Sequence, residues 1–80
     1  MIRVIAFARA RELAGFSERE FGVAETPTVG ALRARLESDA PELALLRSST
    51  RIARNGHLVD DSETLAEGDE VALLPPVGGG

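Results

Sequence analysis

The residues of this chain best suited to chemistry are Pro75-Pro76-Val77-Gly78-Gly79-Gly80, which follow directly on the apolar segment Val71-Ala72-Leu73-Leu74. Glycine has no Cβ and loses the most conformational entropy on ordering, so a glycine run closes a packed domain poorly. It is well suited to carrying a terminal carboxylate into a narrow active site on another protein. The chemistry is therefore expected at Gly80, with the folded part of the chain as its handle. Fully extended, residues 75–80 reach roughly 20 Å at ~3.3–3.6 Å per residue, enough to enter a buried site from a docked globule. Pro75 and Pro76 stiffen the base of this tail, whereas the glycines accept the backbone geometry that a channel imposes.

The remaining side chains narrow the chemistry further. None of the 80 residues is cysteine, which removes disulfides, thiolate metal sites, iron–sulfur ligation and thiol catalysis together. The one histidine, His57, cannot form a metal site alone, and it follows Asn55-Gly56, where a solvated turn residue is expected. A net charge of −4 and scattered arginines leave no phosphate-neutralising patch, so no nucleic-acid partner is expected. An acidic carrier is drawn to basic partners, which affects encounter rate more than affinity. All nine basic residues are arginine, so these residues offer no side chain for an isopeptide bond. No apolar run approaches the ~20 residues that span a membrane, and Met1-Ile2-Arg3-Val4-Ile5 enters a strand-like pattern at once. A cytoplasmic protein with no membrane partner is expected.

The elements that must position the tail are legible in the periodicity. Eighty residues suffice for one domain, expected over residues 1–76, with a flexible tail over 77–80. Residues 2–8 read as a strand with Ile2, Val4 and Ala6 on one face and Arg3, Ile5 and Phe7 on the other. A short helical turn over 9–14, capped by Gly15, precedes a weaker strand over 19–23 that Gly22 interrupts. Thr28 caps the main helix, whose stripe of Val29, Leu32 and Leu36 runs to about Asp39 before Pro41. A further turn over 42–46 brings Leu43 and Leu46 to the core. Strands over 51–54 and 57–59 flank the tight turn Asn55-Gly56, a helical turn is expected over 60–65, and Gly68 supplies a positive φ before the last strand, 70–74.

This order implies an α+β fold, one mixed sheet of four to five strands with a helix across one face. If the first and last strands are central neighbours they run parallel, the layout of a ubiquitin-like β-grasp. The helix covers only one face, so the other should be polar. Instead Ile5, Phe7, Ala72 and Leu74 fall on it, an apolar patch beside the tail that Leu58 or Val59 extends and Arg9 and Arg11 rim. A patch of that kind is expected to be a docking surface.

The stretch Phe7-Ala8-Arg9-Ala10-Arg11-Glu12-Leu13-Ala14-Gly15, the turns Asn55-Gly56 and Gly68-Asp69-Glu70-Val71, and Pro75-Pro76-Val77 before a Gly-Gly end resemble one family along essentially the whole chain. This is the MoaD/ThiS group of sulfur carriers, and within it the MoaD-like small subunits of molybdopterin synthase. Gly78 departs from the pattern, since family members more often carry a small residue with a side chain there. The resemblance implies that a MoeB-like, ATP-dependent activating enzyme adenylates Gly80. A sulfur donor then displaces AMP to leave a thiocarboxylate. The larger, MoaE-like synthase subunit accepts the tail, and sulfur passes to cyclic pyranopterin monophosphate. On this reading the chain binds no cofactor of its own, ATP is used by the activating enzyme, and the catalytic groups belong to the larger subunit. Gly79, Gly78, Val77, Pro76, Pro75, Phe7, Arg11, Leu74 and Ile5 are expected to bind the partners. Delivery of sulfur to a thiamine thiazole, cysteine or a tRNA base remains an alternative, as do a ubiquitin-like protein modifier and an interaction module with an inert tail.

Overall fold

Ile2, Val4 and Ala6 alternate with Arg3 and Ile5, and the backbone follows that alternation as β1 (Ile2–Ala6), with the first set buried. The computed structural model describes residues 1–75. The expectations placed on Pro76, Val77, Gly78, Gly79 and Gly80, and with them the boundary between domain and tail, lie outside the described residues. The strand expected over 2–8 ends at Ala6, because Ala8 takes a positive φ of 51° and turns the chain into α1 (Ala8–Ala14). Gly15, at φ 81°, closes that helix and donates its N–H to the Arg11 carbonyl at 3.0 Å.

β2 (Glu18–Phe21) pairs antiparallel with β1, Ile2 opposite Phe21 and Ile5 opposite Glu18. It stops before the expected Val23, since the Gly22 carbonyl is taken by the turn that follows, accepting from the Glu25 and Thr26 amides at 3.0 and 3.2 Å. In α2 (Val29–Asp39), Thr28 Oγ1 accepts from the Ala31 amide at 3.1 Å, as an N-cap should. The amides of Val29 and Gly30, which have no partner within the helix, donate to the carbonyls of Glu63 and Asp61 at 3.0 and 2.9 Å. Gly30 permits that approach: a Cβ there would meet the Asp61 carbonyl oxygen at 3.2 Å. A 3-10 helix over Pro41–Leu46 then brings Leu43 into the core and leaves Leu46 half-buried.

β3 (Arg51–Arg54) and β4 (His57–Val59) form a hairpin whose turn residues, Asn55 and Gly56, have φ 49° and 87°. Both angles are left-handed, as a type I′ turn demands. His57 is exposed beside the turn, as expected. The helical turn expected over 60–65 does not form. Asp60 Oδ1 instead accepts from the Ser62 amide at 2.9 Å and from its hydroxyl, offering the backbone a local alternative to a helix. Thr64 bridges Thr28, and the Leu65 amide donates to the Pro27 carbonyl at 2.9 Å, which carries Leu65 into the core as expected.

β5 (Glu70–Leu74) follows Gly68, at φ 88°, and inserts between β1 and β3. The strand order is β2-β1-β5-β3-β4, with β5 parallel to β1 and antiparallel to β3. Val29, Leu32 and Leu36 of α2 pack with Ile2, Val4, Val71, Leu73, Ile52 and Leu65 in one core on one side of the sheet. This is the β-grasp arrangement, with five strands. Among the described residues no helix is long and apolar enough to cross a membrane.

Candidate functional site

The face of the sheet away from α2 is set residue by residue by the strand register. Ile5 lies opposite Ala72, Ala72 opposite Ala53, and Ala53 opposite Leu58, so one transverse row across four strands is apolar throughout. Ile5 and Ala72 are half-buried, and Leu58 is 57% exposed. Ala53, between Ala72 and Leu58 in the row, is 7% exposed although it lies on this open side. Val59, offered with Leu58 as an extension of the patch, pairs with Ile52 and packs half-buried against the core. Leu58 is the residue that extends the patch.

Phe7 continues the alternation beyond β1 in extended backbone, φ −121° and ψ 155°, and its amide donates to the Leu73 carbonyl at 3.2 Å. That bond sets Phe7 level with Leu74 at the end of the sheet where the chain leaves β5. Phe7 is 45% exposed, Leu74 half-buried and Pro75 exposed. The structure thus brings Ile5, Phe7, Leu74 and Pro75 together. Arg11 is exposed one helical turn beyond Phe7, with its amide 3.3 Å from the Phe7 carbonyl. Arg9 is engaged locally with Glu12 at 2.9 Å, whereas Arg11 has no acidic partner among the described residues. At the opposite end of this face Arg3 pairs with Glu70 and lies 3.7 Å from Glu18, so the apolar row is bordered there by neutralised charge.

One cluster has no counterpart in the sequence reading. The Asp69 carboxylate, 6% exposed, accepts from Arg54 Nε at 2.7 Å, Asn55 Nδ2 at 2.9 Å and the Ala66 amide at 2.7 Å. Asn55 Oδ1 in turn accepts from the Glu70 amide at 2.9 Å, and Arg54 reaches Glu63 at 2.9 Å. The Arg54 guanidinium, with the amide and side-chain donors, holds the Asp69 carboxyl well below its ordinary range, at about 2. The cluster ties the β3–β4 hairpin to the entry of β5, and so fixes Ala53 and Leu58 against Ala72. Asn55 and Arg54 stand 14 and 15 residues from Asp69, a separation that no helix or strand period reports.

What the arrangement can do follows from the fold. Among the described residues it offers an apolar sheet face without a covering element and, at one end of that face, the exit of β5 at Leu74 and Pro75.

Residues 4–80 match the ThiS family. The chain is 45% identical, with all of both chains covered, to the molybdopterin synthase sulfur carrier subunit of Escherichia coli K12. Small archaeal modifier protein 1 from H. volcanii superposes with a TM-score of 0.80 at 30% identity, covering 95% of this chain and 97% of that one. A chain from the complex of subunits 1 and 2 of the molybdopterin-converting factor from Helicobacter pylori 26695 superposes with a TM-score of 0.72 at 29% identity, covering 99% and 97%. By sequence along its whole length and by fold, this chain belongs to the ThiS family.

Proposed function

We propose that the chain is the sulfur-carrier small subunit of molybdopterin synthase and acts in the cytoplasm. The observation that carries this reading is the register that joins the apolar row Ile5-Ala72-Ala53-Leu58 to the point where the tail leaves β5. Full-length similarity to the E. coli carrier subunit supports it.

A carboxylate is a poor electrophile, because its charge is delocalised and its leaving group would be oxide. On the activating enzyme, an oxygen of the Gly80 carboxylate attacks the α-phosphorus of ATP and pyrophosphate leaves. The resulting mixed anhydride has a good leaving group, and binding beside ATP supplies the proximity. A sulfur donor attacks the acyl carbon, AMP departs, and the terminus becomes a thiocarboxylate. Sulfur then rests on a carbon of this chain, so no cysteine is needed. The larger synthase subunit docks on the open face through Ile5, Phe7, Leu74 and Leu58, with Arg11 at the rim, and Pro75 to Gly80 enter its active site. There the terminus gives its sulfur to cyclic pyranopterin monophosphate, and a second loaded carrier completes the dithiolene.

Intact mass of the chain purified from sulfur-replete cells tests the reading. One oxygen-to-sulfur exchange at Gly80 is expected, and removal of Gly80 abolishes it while leaving the fold intact. Loading of a chain that ends at Gly79 would refute the assignment. A second reading, attachment of the tail to lysines of other proteins, is favoured by the fold shared with the archaeal modifier protein. It predicts higher-mass conjugates in place of conversion of the pterin precursor by the reconstituted pair.

A further inference from the structure

The cationic side chains around the point where the chain leaves β5 are guanidinium groups. Arg51 lies directly opposite Leu74 in the β3–β5 ladder, ~4.8 Å away by the spacing of neighbouring strands. Arg11 lies one helical turn beyond Phe7, which is itself bonded to Leu73. Both are exposed, and among the described residues neither is ion-paired. Residues 75–80 span roughly 20 Å when extended, so the covalent tether lets the Gly80 carboxyl carbon reach either position. The Met1 ammonium, by contrast, pairs with Glu67 where β1 begins, at the other end of the sheet.

Building on the carrier reading above, we infer that arginine at positions 11 and 51 protects the activated terminus from acylating its own carrier. The side reaction would be simple. A neutral amine attacks the acyl carbon of the Gly80 adenylate, a C–N bond forms, the C–O bond to AMP breaks, AMP leaves, and the amine proton passes to solvent. The product is a closed loop with no terminus left to load. A lysine at the tail exit would supply such an amine. With a pKa of ~10.4, about one part in a thousand is neutral near pH 7.4. A short tether holds it at an effective concentration on the order of millimolar or above. A guanidinium keeps the positive charge at the rim but stays protonated, and its nitrogen lone pairs are delocalised, so it is not acylated.

The test uses the full chain with its activating enzyme and ATP, withholds the sulfur donor, and follows products by intact mass and by pyrophosphate and AMP release. The wild type is expected to return the free acid. Arg51→Lys and Arg11→Lys are expected to accumulate a species one water lighter, at least tenfold above the wild type, with peptide mapping placing the isopeptide at the new lysine. Arg33→Lys, on the helix-covered side of the sheet, should stay at the wild-type level. AMP release without the lighter species in the Arg51→Lys chain overturns this inference alone, as does equal adduct at position 33. No pyrophosphate release with the wild type overturns the carrier reading and this inference with it.

Discussion

Phe7 and Leu58 keep 45% and 57% of their surfaces exposed while sharing a face with Ile5 and Leu74, so a charge at either should separate docking from folding. Phe7→Asp and Leu58→Asp are each expected to weaken association with the larger synthase subunit at least tenfold by calorimetry. Each should shift stability by less than ~0.5 kcal/mol, as surface substitutions do. Loss of cooperative unfolding in Phe7→Asp would instead place that ring in the core. Asp69 makes the opposite prediction. Its carboxyl, lowered from 3.8 to about 2, contributes stability that is fully present above pH ~4 and is lost as pH falls through 2. Asp69→Asn should therefore cost about 1–2 kcal/mol in urea unfolding at pH 7, with the two chains converging near pH 2. Ile5, Phe7 and Leu74 were legible because strand parity alone decides their side. Asp69 was not: in the sequence it is one polar residue of a turn, and its partners Arg54 and Asn55 are brought to it only by the pairing of β3 with β5.

Secondary structure was most legible where local chemistry and tertiary contact agree. Thr28 illustrates this, since its side chain caps α2 while the next two amides are met by the segment that carries Asp61 and Glu63. Thr28→Ala is expected to cost ~1 kcal/mol by thermal unfolding, the usual loss for an N-cap hydroxyl. Residues 60–65 were misread because their spacing suits a helical turn, but Asp60 bonds Ser62 and the helix terminus takes the carbonyls of Asp61 and Glu63. The strand-to-helix junction was misplaced for a related reason. Ala8 stands at φ 51°, in a region that costs a non-glycine residue roughly 1–2 kcal/mol, and nothing in its side chain announces that. Ala8→Gly should accordingly leave the melting temperature level or raise it. The same change at exposed Ala34 within α2 should lower stability by ~1 kcal/mol.

At the scale of the whole chain, the buried cluster among the described residues runs from Ile2 at the start of β1 to Leu73 near the end of β5. A chain ending at Pro75 is therefore expected to unfold cooperatively within a few degrees of the full-length protein, as a stability change below ~0.5 kcal/mol implies. A larger drop would mean that the terminal residues contribute to the fold itself. The β-grasp order was legible from pattern because a helix between two long apolar strands leaves few right-handed ways to connect them. Periodicity describes which face is apolar and says nothing of what covers it, so the larger subunit was legible only through the family resemblance.

β5 is bonded on both sides, to β1 and to β3, and the chain departs from its end. Tension applied to the terminus while a partner grips it therefore acts along two ladders at once, loading their hydrogen bonds in shear rather than peeling them one by one. Such a molecule can be pulled free of a tight enclosure again and again without unravelling, a mechanical durability that an edge strand would not provide.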